Sequence, residues 1–343
     1  MRKLLNTLFI TAENAYCSLE NNNVVISIKD EKVKQIPLIL LEQIVCFSYA
    51  GASPALLGEC AKRNIGVTLF TPSGHFLCRI SDKSHGNVFL RKEQYRISDD
   101  DTRCLPYVRN MILGKVYNER WNLDRTLRDN RLRIEPGKFE NAIMMLKTGL
   151  DKIQNATDTD SIRGFEGDCA ETYFRLFDDM ILSQKDAFYF RSRSRRPPLD
   201  NVNALLSFFY TILASDCANA LESVGLDAYV GFMHTDRPGR ASLSLDLMEE
   251  LRAPFVDRFV LSLINMRQIT GDDFMKEPDG AVRMGDDARK RILKLWQERK
   301  QKEIVHPYLT EKIEWGLVPY VQALLLARCI RGDLDEYPPF LWK

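Results

Sequence analysis

The chain has 343 residues, long enough for two domains that each bury a core. Its composition, 45% hydrophobic and 28% charged, is that of a globular protein, and no apolar run reaches the expected length of a membrane span. A net charge of +1 excludes a uniformly basic protein, so any nucleic-acid binding must use local patches that acids elsewhere offset.

The stretch from Met1 to Asn14 faintly mimics an export signal, but Asn6 and Thr7 interrupt its apolar run and Glu13 follows. A first β-strand is expected there instead, and with it a cytoplasmic protein. Residues 24–28, after the turn-prone Asn21-Asn22-Asn23, and 32–38 read as strands, as do 44–48, 66–70 and 76–80. The last two are separated by the turn Thr71-Pro72-Ser73-Gly74. One helix interrupts them, with Ser53 at its cap, Pro54 at its first position and an end near Lys62.

The polar run 97–103 is expected to be a linker or a long helix cap. Beyond it the apolar spacing becomes helical, over 105–132, 139–154, 162–182, 203–224, 244–269, 288–301 and 319–331. A hairpin around Pro278-Asp279-Gly280 is expected to join 274–275 to 282–284. The fold class is therefore α+β. A small, mainly β N-terminal domain over 1–100 precedes a larger, mainly helical C-terminal domain over 101–343 that carries the active site. The eight cysteines are scattered without any Cys-x-x-Cys pair, and buried thiols are expected rather than zinc ligands or disulfides.

Chemistry concentrates in two places. Glu166 lies in a helical pattern, yet Gly164 and Gly167 flank it. Two such glycines cost roughly 1 kcal/mol each relative to alanine, which is tolerable where another backbone or a phosphate comes close. Some sixty residues on, His234 ends an apolar run and opens the loop Thr235-Asp236-Arg237-Pro238-Gly239-Arg240. Asp246, Glu249 and Glu250 follow at spacings that share one helix face, and Pro254 is expected to kink that helix just after them.

Taken singly, each has a structural reading: a solvated glutamate, a strand-capping histidine, acids placed by the helix dipole. Ser242 and Ser244, near the histidine, are read as caps more readily than as nucleophiles. Taken together, one imidazole and carboxylates without a thiolate suit Mn2+ or Mg2+. The residues alone leave the choice between Asp246 and Glu249 as third ligand open. Arg237, Arg240 and Arg252 offer phosphate contacts. So does the run Phe188-Tyr189-Phe190-Arg191-Ser192-Arg193-Ser194-Arg195-Arg196, where arginine alternates with serine after three aromatics. The 105–132 segment adds further basic residues.

The whole pattern resembles a known family. Gly164-Phe165-Glu166-Gly167, then Arg193-Ser194-Arg195-Arg196-Pro197-Pro198-Leu199-Asp200, then Gly225-Leu226-Asp227 through His234, then Ser242 to Arg252 occur in order. Together they resemble the CRISPR-associated adaptation endonuclease/integrase family, Cas1, over essentially the whole chain. The ending Asp335-Glu336-Tyr337-Pro338-Pro339-Phe340-Leu341-Trp342-Lys343 is similar to that of the type I-C branch.

The resemblance implies a homodimer joined through the N-terminal domains and bridged by a small ferredoxin-like companion, Cas2. It implies a metal-dependent DNA endonuclease and integrase that inserts new spacers into a CRISPR array, acting on double-stranded DNA. It places the metal ligands on Glu166, His234 and Glu249, with Asp246 as an additional catalytic acid and Arg237 as a phosphate contact. The family's usual acid-proline-aromatic-arginine ending is here Glu249-Glu250-Leu251-Arg252, which makes Glu250 a competitor for the metal. The competing readings are a stand-alone repair nuclease acting on branched DNA and a non-catalytic DNA-binding scaffold.

Overall fold

The computed structural model describes residues 6–12, 14–72, 76–80 and 88–343. β1 (Asn6–Ile10), β2 (Ala15–Glu20), β3 (Asn23–Ile28), β4 (Glu31–Pro37) and β5 (Leu41–Cys46) precede α1 (Pro54–Lys62), and β6 (Gly66–Phe70) and β7 (Phe76–Ile80) follow it. Next come α2 (Val88–Ser98), α3 (Asp101–Asn130), α4 (Pro136–Gln154), α5 (Thr159–Arg175), α6 (Asn201–Ser223), α7 (Ser242–Leu251) and α8 (Arg258–Asn265). The hairpin β8 (Phe274–Lys276) and β9 (Val282–Met284), α9 (Asp286–Lys300), the short strands β10 (Glu303–Val305) and β11 (Lys312–Glu314), and α10 (Val318–Ile330) complete the chain. Strands first and helices after is the α+β order expected from the sequence.

Local chemistry explains most boundaries. Asn21 and Asn22 (φ 48° and 62°) turn β2 into β3, and Lys29 and Asp30 (φ 50° and 66°) turn β3 into β4. Consecutive left-handed residues are what a tight two-residue hairpin requires. β2 adds to the expected strands: Ala15 and Cys17 face inward on a period of two, a weaker signal than the valine-rich run beside it. Ser53 caps α1 by accepting from the amide of Leu56 at 3.2 Å. Of the turn expected at 71–74, Ser73 and Gly74 lie outside the described residues.

The polar run 97–103 is a cap and not a linker. It ends α2, a helix with no counterpart among the expected ones, and Asp100 accepts from the amides of Thr102 and Arg103 at 2.9 and 3.2 Å to start α3. The helix expected at 244–269 is interrupted at Pro254 by a π-helical stretch, Arg252–Asp257, between α7 and α8. Proline has no amide to donate, so the ladder must widen there. Against the expectation that no apolar run reaches the length of a membrane span, α6 is 23 residues long and apolar enough to do so by length and composition alone. Most of that apolar stretch is buried inside the protein.

By contact, the chain forms two compact units, and they do not follow a single cut near residue 100. One comprises residues 1–85, 285–303 and 314–317, and the other 86–284, 304–313 and 318–343. In the first, a sheet ordered β1-β5-β6-β7 has three parallel strands and an antiparallel edge, and β2-β3-β4 form an antiparallel meander. The two sheets share a core that includes Ile10, Cys17, Ile26, Leu41, Ile44, Leu56, Cys60 and Val67. α9 returns to this unit from far downstream: Arg289 lies over the Phe47 ring at 5.7 Å, and Lys300 Nζ reaches Thr7 Oγ1 at 3.3 Å.

In the second unit the long α3 packs against α4, α5 and α7, while α6 packs against α7 and α10. At the crossing of α4 and α5, a Cβ added to Gly149 would sit 2.3 Å from Cys169 Sγ. α7 is buried nearly all round, as expected of a helix enclosed by others. All eight cysteines are free thiols, and only Cys78 is exposed.

Candidate metal centre

Four elements of the second unit carry the site: α3 with Lys115, α5 with Glu166, α7 with Asp246 and Glu249, and the segment before α7 with His234. Asp246 is 1% exposed and serves as a clamp for that segment. Its Oδ2 accepts from the amides of Phe232 and Met233 at 2.7 and 3.1 Å. Its Oδ1 accepts from the amide of His234 at 3.0 Å and lies 2.6 Å from His234 Nδ1. Such a carboxylate fixes both the ring orientation and the tautomer, leaving Nε2 free to act. His234 Nε2 lies 3.9 Å from Glu249 Oε1.

Gly231 makes this packing possible. A Cβ there would lie 2.7 Å from Ser242 Cβ and 2.9 Å from Asp246 Oδ2. Arg163, one turn before Glu166 on α5, donates through Nη2 to the carbonyl of Met233 at 2.9 Å. Gln94 on α2 donates to the carbonyls of Asp227 and Val230 at 2.8 and 2.9 Å and accepts from the amide of Asp227 at 2.9 Å. The histidine segment is thus held from three sides.

Glu249 is surrounded by positive charge. Arg252 Nη2 lies 2.9 Å from its Oε1, and Lys115 Nζ 2.8 Å from its Oε2. Lys115 also contacts Glu166 Oε1, so one ammonium bridges two acids from different helices. Burial by itself raises Glu249, but Arg252, Lys115 and His234 outweigh it and hold the carboxyl at about 2. For Lys115, burial works against the charged form, and Glu249, Glu119 and Glu166 more than restore it, leaving the ammonium above its ordinary value. Glu119, one turn on along α3, is 3% exposed, and its Oε2 has no hydrogen-bond partner among the described residues. Burial pushes it up to about 8 against the opposing pull of Lys115, with Glu166, Asp257 and Glu249 adding to the rise.

The three acids of α7 do not share one destination. Asp246 faces the histidine segment and Glu249 faces Lys115 and Arg252, whereas Glu250 turns toward the C-terminal tail. There it accepts from Gln322 Nε2 at 2.9 Å, from the amide of Phe340 at 2.7 Å and from the Tyr337 hydroxyl. Asn118 on α3 locks the same corner, donating to the carbonyls of Glu250 and Phe340, both at 2.7 Å, and accepting from the amide of Trp342 at 2.9 Å. Ser242 and Ser244 are neither caps nor nucleophiles, since their hydroxyls donate to the carbonyls of Thr235 and Ala214 at 3.3 and 2.7 Å.

Behind Arg252 lies a buried polar stack. The guanidinium groups of Arg252 and Arg193 approach the Tyr210 ring at 5.1 and 5.4 Å. Asp257 accepts from Tyr210 and, at 3.0 Å, from Tyr173. Arg193, expected among the phosphate contacts, is therefore half-buried and held by Asn203 Oδ1. Arg195, Arg196 and Arg237 are exposed, and Arg240 is partly so. Of the three aromatics before this run, Phe188 and Phe190 are core residues and only Tyr189 is at the surface.

The basic residues of α3, and Arg131 just after it, are also engaged. Arg109 donates to the carbonyl of Ala156 at 2.7 Å, and Arg120, Arg125, Arg128 and Arg131 each pair with an acid. Among the described residues outside the helix itself, nothing lies within 4 Å of a Cβ added at Gly164 or Gly167, so α5 is open to solvent at these two positions and no second backbone approaches them.

Among the described residues no three His, Cys, Asp or Glu side chains converge on one point. What the site offers instead is two carboxylates already gathered around one cation, with an oriented imidazole beside them. That donor chemistry fits a hard divalent ion bound through Glu166, His234 Nε2 and Glu249. Asn118, Gln94 and Arg163 have no signal in the sequence, and Lys115 stands out there only as one of the basic residues of 105–132, because their charges and amides sit on helices whose facing partners are far away in the chain.

Comparison with known proteins places this chain in a family. The family model for CRISPR associated protein Cas1 matches residues 8–298. The chain is 48% identical to a CRISPR-associated endonuclease Cas1 of Chlorobaculum tepidum, over the whole of both chains. In fold it is similar to a casposase solved bound to an integration product, with a TM-score of 0.83 at 22% identity, covering 98% of this chain and 93% of that one. It is also similar to a chain of a Cas6-RT-Cas1–Cas2 complex, with a TM-score of 0.82 at 24% identity, covering 99% of this chain and 36% of that one. The strand-first, helix-after fold and the match over most of its length agree: this chain belongs to the CRISPR-associated Cas1 family.

Proposed function

We propose that the chain is a metal-dependent DNA endonuclease and integrase that inserts new spacers into a CRISPR array. The observation that carries this reading is the pairing of Glu166 with Glu249 around a cation, beside a histidine whose other nitrogen is fixed by Asp246. The name of the Chlorobaculum relative and the integration product held by the casposase support the reaction class. The complex with Cas2 supports a small companion subunit, and we infer a cytoplasmic homodimer joined through the β-rich N-terminal domain, with Cas2 bridging two dimers.

Integration exchanges one phosphodiester for another. A 3′-hydroxyl of the incoming duplex attacks phosphorus at the repeat boundary, and a P–O bond forms as the bond to the departing 3′-oxygen breaks. The attacking hydroxyl loses its proton and the departing oxygen gains one; water takes the place of the hydroxyl in the nuclease reaction. Glu166, His234 and Glu249 would hold Mn2+ or Mg2+, which supplies Lewis-acid polarisation of the phosphate when bound. Asp246 keeps Nε2 of His234 turned toward Glu249, and Arg252 holds Glu249 in place. The exposed Arg195, Arg196 and Arg237 and the half-buried Arg240 neutralise DNA phosphates. The open positions Gly164 and Gly167 give a phosphate chain room along α5.

The test is strand transfer of a labelled duplex into a plasmid-borne repeat, with Cas2 present, in Mn2+, Mg2+ or chelator. Alanine at Glu166, His234 or Glu249 is expected to abolish transfer while sparing DNA binding. Full activity in two of these variants sinks the assignment. Cleavage of branched DNA without any transfer product points to a repair nuclease, and indifference to chelator points to a scaffold.

A further inference from the structure

We propose that Lys115 is a resident cation with two seats: it bridges Glu166 and Glu249 until a divalent ion enters, and is then received by Glu119. The proposal rests on the reading of Glu166, His234 and Glu249 as metal ligands. It begins from the geometry of the bridge. Glu166 on α5 and Glu249 on α7 are brought together by one buried ammonium, 2.8 Å from Glu249 Oε2 and in contact with Glu166 Oε1. Without a cation between them, two carboxylates so close repel and the helices carrying them are pushed apart. The lysine therefore keeps the ligand pair assembled before metal arrives.

The same placement creates a conflict. A divalent ion held by those oxygens and an ammonium held by them cannot share one gap, so the lysine has to withdraw as metal binds. Its stem is flexible and its ammonium can turn among several acceptors. Glu119 lies four residues along the same helix, the spacing at which lysine and glutamate meet. It is almost fully buried, and its Oε2 lacks a donor among the described residues. A buried carboxyl oxygen without a partner is costly to keep. A seat held for the displaced ammonium accounts for that cost, and it keeps the lysine's charge paired in both states.

The experiment is calorimetric titration of Mn2+ into the full chain, paired with thermal unfolding in chelator. Wild type is expected to bind Mn2+. K115M is expected to bind it about tenfold more tightly, because no ammonium competes, while unfolding at a lower temperature in chelator. E119Q is expected to bind about tenfold more weakly, because the displaced ammonium loses its acceptor. K115M/E119Q is expected to match K115M, since Glu119 acts only through the lysine. A K115M protein that binds no more tightly than wild type overturns the proposal. So does an E119Q effect that persists in the K115M background, which marks Glu119 as a general electrostatic contributor. K115Q serves if K115M does not fold. Absence of Mn2+ binding by wild type overturns the metal-centre reading itself and the two-seat lysine with it.

Discussion

His234 and Asp246 are joined through a single carboxylate oxygen, Oδ1, which accepts the backbone amide of the histidine at 3.0 Å and faces its Nδ1 at 2.6 Å. The acid thereby sets both where the ring sits and which nitrogen it presents. Asp246→Asn keeps the size of the side chain but removes the charge that orients the imidazole. It is expected to lower Mn2+ affinity about 10- to 100-fold while the fold is retained. Titration calorimetry checks the first and circular dichroism the second. Unchanged affinity in a folded variant removes Asp246 from the site.

The glycines of the site divide by what surrounds them. Gly231→Ala places a methyl 2.7 Å from Ser242 Cβ and 2.9 Å from Asp246 Oδ2. It is expected to cost about 1–3 kcal/mol of stability and to displace the His234 segment. Gly164→Ala meets nothing within 4 Å among the described residues outside its own helix. It is expected to stabilise α5 by up to about 1 kcal/mol and yet to slow DNA cleavage, because the methyl intrudes where a phosphate passes. Urea denaturation and a nuclease assay separate the two effects. Faster cleavage by Gly164→Ala contradicts the phosphate path.

Two buried acids make stability depend on pH. Burial raises Glu250 to about 7 against the donors Tyr337, Phe340 and Gln322, and raises Asp257 to about 6 against Tyr210, Tyr173 and two arginines. Folded values above the ordinary 4.5 and 3.8 mean that folding favours the protonated forms. Their stabilising contribution is full in acid and is lost as pH climbs through 6 and 7. For Glu250 the loss is on the order of 3 kcal/mol. Denaturation between pH 5 and pH 8 is expected to show a shallower slope for Glu250→Gln than for wild type, and an identical slope discards the account.

The arginines expected to bind DNA fall into two kinds. Arg237 is exposed, so Arg237→Ala is expected to weaken binding of all duplexes alike and to lower the salt dependence by about one phosphate contact. Arg193 is packed on Tyr210 and held by Asn203, so Arg193→Ala is expected to lower thermal stability first. Binding isotherms over a salt series, read beside melting curves, distinguish them. A stable Arg193→Ala protein with a reduced salt slope reverses the assignment.

Much of this protein is legible in its sequence because the relevant physics is local. Hairpins follow from Asn21-Asn22, the first helix start from Ser53-Pro54, and the break after α7 from Pro254. Each is decided within a few residues by φ, by a side-chain oxygen near free amides, or by a missing donor. Order along the chain also carried the family pattern, and with it Glu166, His234 and Glu249 as expected ligands. Tertiary structure alone decided the rest. Asp246, Glu249 and Glu250 sit within five positions, yet they face the histidine segment, the Lys115–Arg252 pair and the tail, because a buried helix presents every face to a different neighbour. Lys115, Asn118 and Gln94 acquire their roles only when α2 and α3 meet residues up to 224 positions away. Side-chain chemistry is written locally; which charges share a buried, low-dielectric space is written only by packing.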